Sequence, residues 1–235
     1  SGTGIAPAFS VSPSSVSFGD NLIGTSKLDS VSVTNTGTAS LSITNVTSDN
    51  TKFTVTPTTG TIDTGASQKF YITFSPTATG SQSGTISFTD NASGSPHTVS
   101  VSGTGIAPAF SVSPSSVSFG DNLVGASKLD SVTVSNTGTA SLSITNVTSD
   151  NTKFTVTPTT GTIAASGTQK FYITFSPTVT GNQSGTISFT DNASGSPHTV
   201  SVSGTGVEPS FSVSPTSLSF GDVSTGQSKT DSVTV

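Results

Sequence analysis

The sequence predicts an all-β fold, a tandem array of immunoglobulin-like antiparallel β-sandwiches of about seven strands each. Three observations predict it. The chain repeats itself every 101 residues, because SGTGIAPAFSVSP begins at Ser1 and again at Ser102. Short runs alternate apolar residues with Ser and Thr, which is typical of strands with one face in water. Gly, Pro and Asn separate these runs, and no long window has the apolar spacing of a helix.

The strands of the first repeat are predicted from apolar residues that alternate with polar ones, many of them β-branched or aromatic. In chain order the runs contain Phe9 and Val11; Val16 and Phe18; Leu28, Val31 and Val33; Leu41 and Ile43; Phe53 and Val55; Phe70, Ile72 and Phe74; Ile86 and Phe88; Val99 and Val101. Turns are predicted between them, where residues such as Gly19-Asp20 and Asn35-Thr36-Gly37 favour tight reversals of the chain.

The first two copies of the repeat are nearly identical. Residues 1–101 and 102–202 differ at eleven positions, which are Ile23/Val124, Thr25/Ala126, Ser32/Thr133, Thr34/Ser135, Asp63/Ala164, Thr64/Ala165, Gly65/Ser166, Ala66/Gly167, Ser67/Thr168, Ala78/Val179 and Ser81/Asn182. The run 63–67 is typical of an exposed turn that tolerates change. A unit of about 100 residues buries a core of its own, so each copy is a domain rather than a turn of a solenoid.

The domain boundary is predicted after the SGTG motif, because these residues close a last strand and IAP leads into the next unit. Residues 1–4 are then the end of a preceding repeat, 5–105 and 106–206 are complete immunoglobulin-like repeats, and 207–235 are the first strands of a third, incomplete repeat. Two or three strands do not bury a sandwich core alone. We therefore expect 207–235 to be ordered by further chain or by strand exchange with another copy.

Composition excludes several classes of function. The formal net charge is −5, and the seven lysines are spread over the chain rather than clustered, so no nucleic-acid partner is expected. No apolar run is long enough to span a bilayer, and we expect no membrane insertion in this segment. The chain has no Cys, which removes disulfides, thiol chemistry and thiolate metal sites.

Longer motifs carry a resemblance to a known family. The segments VSFGDNLIGTSKLDSVSVTNTGTASLSI, FYITFSPTATGSQSGTISFTDN and TVSVSGTG resemble the ASH (abnormal spindle/Hydin-type) and choice-of-anchor D family. The resemblance covers nearly the whole chain and implies a seven-stranded immunoglobulin-like sandwich similar to major sperm protein. Bacterial members are typically tandem modules of secreted or surface-anchored proteins, whereas eukaryotic members occur in ciliary and centrosomal proteins. The Lys-poor, Ser/Thr-rich, Cys-free composition favours a bacterial surface protein.

Residues that could carry chemistry are few. His97 recurs as His198 in a Ser-Pro-His-Thr segment, and we interpret it as an exposed turn residue because a lone His specifies no reaction. The pairs Asp20-Asn21, Asp49-Asn50 and Asp90-Asn91 each offer one carboxylate, fewer than calcium requires, and suit turns. We therefore expect no catalytic, cofactor-binding or metal site, and no enzyme activity.

Two further sets of residues are candidates for other roles. Ile5, Pro7, Ile106 and Pro108 are predicted to form interdomain linkers, in which Pro restricts the backbone and the branched residue packs. Ser30, Ser131 and Ser232 each lie in an Asp-Ser-Val triplet, which fits an O-glycosylation acceptor pattern of some Bacteroidetes-type bacteria. Ordinary strand alternation produces the same triplet, and this interpretation is the favoured one.

Near-identity of the copies predicts a structural function, since it scales with the number of modules and no copy has a site of its own. We expect a secreted or cell-surface array that forms an extracellular stalk, fibre or adhesin spacer on a bacterial cell. Its expected partners are neighbouring repeats and other copies of the chain in a fibre. The alternative is a glycan- or protein-binding surface module, for which Tyr71, Tyr172 and the loop 63–67 are candidates.

Overall fold

The computed structural model describes residues 2 and 4–235, and every regular element within them is a β-strand. The strands of the first repeat are β1 (Phe9–Ser12), β2 (Ser15–Leu22), β3 (Lys27–Asn35), β4 (Leu41–Ser48), β5 (Phe53–Thr56), β6 (Gly60–Ile62), β7 (Ser67–Phe74), β8 (Gly80–Asp90) and β9 (His97–Ile106). The expectation that residues 1–4 end a preceding unit falls partly on Ser1 and Thr3, which lie outside the described residues.

The second repeat has the same strands in the same order. They are β10 (Phe110–Ser113), β11 (Ser116–Leu123), β12 (Lys128–Asn136), β13 (Leu142–Ser149), β14 (Phe154–Thr157), β15 (Gly161–Ile163), β16 (Thr168–Phe175), β17 (Gly181–Asp191) and β18 (His198–Val207). Within the described part of the chain there is no helix long and apolar enough to cross a membrane.

Each repeat is a sandwich of two sheets. In the first repeat the four-stranded sheet has the order β1-β3-β7-β5, and the five-stranded sheet has the order β2-β9-β8-β4-β6. The second repeat has the orders β10-β12-β16-β14 and β11-β18-β17-β13-β15. The predicted fold class, tandem immunoglobulin-like β-sandwiches, is confirmed. One pair in each repeat, β2 with β9 and β11 with β18, is parallel rather than antiparallel, because side-chain alternation does not encode strand direction.

Phenylalanine dominates the core of each sandwich. The five fully buried rings of the first repeat are Phe18, Phe53, Phe70, Phe74 and Phe88. Phe53 and Phe74 stack at a centroid distance of 4.8 Å, while Phe70 and Phe88 meet edge to face at 5.1 Å. Large aromatic side chains bury much apolar area per residue, which allows a chain with 30% hydrophobic residues to fold. The second repeat has a separate core of equivalent residues, so each repeat is a domain with its own interior.

The Asn-Thr-Gly motif holds the end of each sandwich at which its chain enters. The buried Asn35 donates from Nδ2 to the carbonyls of Ala39 and Ile62, at 2.8 and 2.9 Å. Its Oδ1 accepts from the backbone N–H of Gly37 and Ala8, at 3.0 and 3.3 Å. One amide therefore joins the entering strand, the turn and β6, and satisfies its own polar atoms in the interior.

Two details of the strands differ from the sequence prediction. The sequence predicts no strand between Val55 and Phe70, but Gly60–Ile62 form β6, which pairs with β4 and makes the ninth strand. Only Ile62 of this short strand is buried, so no alternation marks it in the sequence. In addition, β9 continues to Ile106, which pairs with Leu22, so the last strand extends one residue past the predicted boundary.

Residues 208–235 lack the regular strands of the complete repeats. They contain one isolated bridge, between Ser214 and Thr234, at the rung that joins β1 to β3 in the first repeat. Lys229 donates to the carbonyl of Phe220 at 2.9 Å, as Lys27 does to Phe18. Phe220 is exposed, whereas its counterpart Phe18 is buried. The segment thus retains local contacts of the repeat without its core.

Candidate functional site

The two repeats are joined by one peptide unit whose two polar groups bind different repeats. The carbonyl oxygen of Ile106 accepts from the N–H of Ile23 in the first repeat, at 3.0 Å. The N–H of Ala107 donates to Thr139 Oγ1 in the second repeat, at 3.1 Å. The carbonyl of Ala107 then accepts from the N–H groups of Thr139 and Ala140, at 2.8 and 3.0 Å. Ile106 is therefore hydrogen-bonded to the first repeat, and Ala107 is hydrogen-bonded to the second.

The predicted linker residues take different positions around this joint. Ile106 is the last residue of β9, and Pro108 follows the anchored Ala107. At the start of the chain Ile5 is exposed, and Pro7 is half-buried next to Ala6. Ala6 makes the same contact as Ala107, because its N–H donates to Thr38 Oγ1 at 3.2 Å. The linker predicted from Ile and Pro is therefore a strand end followed directly by the next domain.

The joint borders a small, largely apolar and partly open pocket of about 220 Å³. One side is the turn that follows β2, and the other side is the beginning of the second repeat and its β17–β18 turn. The lining residues are Leu22, Ile23, Thr25, Ala107, Pro108, Asn192 and Ser194. Leu22 and Ile23 remain 42% and 39% exposed. Residues of both repeats thus line the same pocket.

His97 has a structural partner that the sequence did not suggest. Its Nδ1 lies 2.8 Å from Oδ2 of Asp90, whose side chain is fully buried, and the His side chain is only 22% exposed. The imidazole stacks on Phe9 with a centroid distance of 4.2 Å and an interplanar angle of 6°. His198, Asp191 and Phe110 repeat the arrangement. The interpretation of His97 as an exposed turn residue is wrong, because it begins β9 and fastens it to β8 and β1.

The other acidic positions also serve the backbone. Oδ1 of Asp90 accepts from the N–H of Ala92 at 2.8 Å, and Oδ1 of Asp49 accepts from the N–H of Thr85 at 2.7 Å. Asn50 donates to the carbonyl of Ser83 at 2.8 Å. Among the residues that the structure describes, no three His, Cys, Asp or Glu side chains are grouped as a metal site. The Asp-Asn pairs at 49–50 and 90–91 act here as turn and loop anchors.

The outer face of each five-stranded sheet is lined by hydroxyl groups. In the first repeat neighbouring strands align Ser15 with Ser100 and Thr85, and Ser17 with Ser102 and Ser83. Two shallow grooves of about 400 and 340 Å³ cross these strands, with Asp49 at the edge of the larger groove. The second repeat has the same pair of grooves, of about 420 and 380 Å³. This face offers ordered rows of hydrogen-bonding groups to solvent.

The four-stranded sheet presents the remaining candidates. Ser30 is half-buried on β3, directly opposite Tyr71 on β7, and its N–H is bonded to the side chain of Asp29 at 2.7 Å. Ser131 has the same position opposite Tyr172, while Ser232 lies in the exposed segment after the second repeat. Tyr71 is 43% exposed. The Asp of each triplet thus has a local structural role, whether or not the Ser is modified.

This architecture defines the chain as a tandem immunoglobulin-like β-sandwich protein. The family model of ASH, described as "Abnormal spindle-like microcephaly-assoc'd, ASPM-SPD-2-Hydin", matches residues 2–98 and 103–199. These two matches cover most of the 235 residues, once in each repeat. The chain belongs to the ASH family.

Solved structures include similar folds at low sequence identity. A protein of unknown function from Porphyromonas gingivalis is 16% identical, with a TM-score of 0.39, and the match covers 84% of this chain and 99% of that one. The ASH/PapD-like domain 7 of human CEP192 is 18% identical, with a TM-score of 0.38 and coverage of 43% and 87%. A major sperm protein family member from Caenorhabditis elegans is 14% identical, with a TM-score of 0.31 and coverage of 42% and 97%. No curated protein matches the chain.

Proposed function

We propose that this chain is a structural segment of a repetitive array, which forms an extracellular stalk, fibre or adhesin spacer on a bacterial cell surface. The observation that carries the proposal is the direct joint between two nearly identical sandwiches, in which the Ile106–Ala107 peptide is hydrogen-bonded to both. A spacer needs modules that are stable alone and joined at a defined distance. Its copies need no individual sites, and the two copies differ at few positions.

The side chains best suited to catalysis, His97 and Asp90, have structural contacts instead. His97 and Asp90 connect β9 to β8, and Phe9 covers the imidazole from the other sheet. Nucleophilic catalysis by such a pair needs a positioned nucleophile on the free nitrogen. The hydrogen bonds of the described residues connect His97 to Asp90 alone. We therefore propose that the chain is not an enzyme and needs no cofactor.

The location is tested on intact cells that produce the protein. Antibodies raised against the purified chain should label the outside of the cell without permeabilisation, and a protease added to intact cells should remove the label. Electron microscopy should then show the label along fibres rather than at compact particles. Labelling that requires permeabilised cells would contradict the surface location, while the joint between repeats would be unaffected by that result.

A binding module is the second candidate, and the hydroxyl-lined grooves favour it. Ser15, Ser17, Ser100 and Ser102 present hydroxyl groups to solvent in an ordered array, which suits hydrogen bonding to glycan hydroxyls. The test is binding of the chain to a panel of immobilised glycans. Because both repeats carry the grooves, retention that is lost when Ser100, Ser102, Ser201 and Ser203 are replaced by Ala would support this function over a spacer. Replacement of Thr54 and Thr155, on the other sheets, should leave retention unchanged.

A further inference from the structure

We infer that the turn after β2 is a docking surface for the next repeat of the same chain, and that this contact and the shared peptide make the joint stiff. The inference concerns the joint and stands without the extracellular location. The covalent geometry of the connecting peptide limits how the two repeats move relative to each other. The Ile106–Ala107 peptide is planar, so the two repeats rotate against each other only through the dihedral angles beside it. The bond from Ile23 restrains the Ile106 side, and the bond to Thr139 restrains the Ala107 side.

Pro108 restricts the next backbone angle. Its ring fixes φ near −65°. Ala107 immediately before it is biased to extended conformations by the same ring. Ala107 is also the residue whose carbonyl accepts from Thr139 and Ala140. The chain therefore passes from β9 into an anchored segment of the second repeat without a flexible residue between them.

Apolar side chains beside this peptide contribute a second restraint. Leu22 and Ile23 are exposed apolar residues at the end of the first sandwich, and Pro108 and Asn192 of the second repeat line the same partly open pocket. Bending at the joint would expose or compress this space. Apolar surface shared between two bodies favours the arrangement that keeps it covered. The occupant of this surface is the following repeat, whose Ala107 and Pro108 line the same pocket.

The sequence differences between the two copies are concentrated at the ends of the repeats. Positions 23, 25, 78 and 81 lie at the end that faces the next repeat, since the N–H of Gly24 donates to the carbonyl of Pro76 there. Positions 63–67 lie at the opposite end, where Gly65 and Ala66 bond to Asn35. Nine of the eleven differences, four at one end and five at the other, are therefore at repeat ends. At the joint, the differences therefore change the turn after β2, as in Ile23/Val124 and Thr25/Ala126.

The third copy provides a natural variant of the docking surface. Ser224, Thr225 and Gln227 stand at the positions of Leu22, Ile23 and Thr25. The apolar pair at the end of the first repeat is replaced there by two hydroxyl side chains. A polar surface gains little from being covered, so these residues form a weaker contact. Because another copy of the repeat already carries Ser and Thr at these positions, the exchange suits the turn.

The test is a distance measurement between the two repeats in the full chain. The chain has no Cys, so Thr47→Cys and Thr148→Cys place single spin labels at equivalent exposed strand positions. Double electron–electron resonance then gives the distribution of distances. A Gly-Ser-Gly insertion between Ile106 and Ala107 is the flexible reference, and adds about 10 Å of root-mean-square reach. We expect the insertion to broaden the distribution at least about twofold.

Substitutions separate the two contributions to stiffness. Leu22→Ser with Ile23→Thr should broaden the distribution, whereas Leu28→Ser, which removes an exposed Leu from a sheet face, should not. Thr139→Ala should broaden it, whereas Thr38→Ala, its equivalent at the start of the first repeat, should not. Circular dichroism checks that each variant is folded. An unsubstituted chain as broad as the insertion variant would overturn the inference, and so would equal broadening by each control.

Discussion

Gly103 and Gly105 of the SGTG motif lie where the last strand passes very close to its neighbours. A Cβ on Gly103 would stand 2.5 Å from the ring of Phe74, and a Cβ on Gly105 would stand 2.1 Å from the carbonyl oxygen of Ala78. Phe74 is fully buried in the core. The two glycines are therefore needed for the close packing of β9 against the rest of the sandwich, and not for a turn.

Gly103→Ala is expected to destabilise the first repeat by about 1–3 kcal/mol, because one added methyl group overpacks a filled core. Combining it with Gly204→Ala changes both repeats alike, so that urea denaturation shows one shifted midpoint. Ser100→Ala with Ser201→Ala, on the wet face of the same strands, is the control. A midpoint that shifts no more than in this control would show that Phe74 moves aside without cost.

Ser166 is a second residue whose identity the backbone constrains. It has φ +62°, while its counterpart Gly65 has φ +74°. Side chains other than Gly rarely adopt this region and are strained there by about 1–2 kcal/mol. Replacing Ser166 by Gly relieves this strain. Part of the gain in stability is offset, because Gly loses more backbone entropy on folding. Ser166→Gly is therefore expected to raise the melting temperature of the second repeat, and Gly65→Ser to lower that of the first. Calorimetry of both variants measures this, and a lowered temperature for Ser166→Gly would refute it.

At the scale of elements, β2 is an edge strand, and its free side is blunted. The pairing of β2 with β9 shifts register between Ser17 and Asp20, which is a bulge. Lys27 of β3 donates to the carbonyl of Phe18 in β2, and Lys128 of β12 does so to Phe119 in β11. Bulges and lysines are recurrent means of preventing edge-to-edge association. This edge is thus unsuited to strand exchange between intact repeats.

The β8–β9 hairpin depends on the buried carboxylate of Asp90. Asp90→Ala removes the acceptors of His97 and of the Ala92 N–H, and with Asp191→Ala it is expected to cost each repeat about 2 kcal/mol. Asp90→Asn keeps an acceptor for Ala92 and should cost less. Asp63→Ala is a matched control, since the second repeat naturally has Ala164 there. Urea denaturation measures the series, and equal midpoints for Asp90→Ala and the control would contradict the structural role.

The elements that the sequence predicts are those whose side chains alternate over several residues. Strands such as β7, with Phe70, Ile72 and Phe74 on one face, are visible in this way. The three-residue β6 has too few positions for a pattern. The direction of β2 relative to β9 depends on which strands meet in space, and side-chain pattern does not contain this.

The candidate sites were harder to predict than the strands, for a similar reason. Asp90 and His97 are separated by a turn, and only the hairpin brings their side chains within hydrogen-bonding distance. The role of Thr139 at the joint depends on contacts 32 residues apart in the chain. A pair of residues repeated at the same spacing in both copies was the one available signal, and repetition alone does not distinguish a hydrogen bond from a turn preference.

At the scale of the whole molecule, most differences between the two copies lie at the ends of the repeats, whereas the serines of the hydroxyl-lined sheet faces are the same in both. The hydroxyl-lined sheet faces keep Ser15, Ser17, Ser100 and Ser102 as Ser116, Ser118, Ser201 and Ser203. The ends carry most of the differences, including Ile23/Val124 and Ala78/Val179. The two repeats therefore have the same serine-lined sides and differ mainly at their ends, which fits the proposed spacer, whose length matters more than any one module.

Residues 208–235 give the last prediction. They have one bridge, between Ser214 and Thr234, and most of their side chains are exposed, including Phe211. Proteases cut segments that open easily, so a broad-specificity protease should cleave there first and leave a stable fragment that ends near Val207. Mass spectrometry of the digest identifies the cut. Digestion at several protein concentrations then addresses the expected exchange of strands with another copy. Cleavage at one rate throughout would contradict that exchange, whereas protection that grows with concentration would show that a second copy covers the exposed phenylalanines.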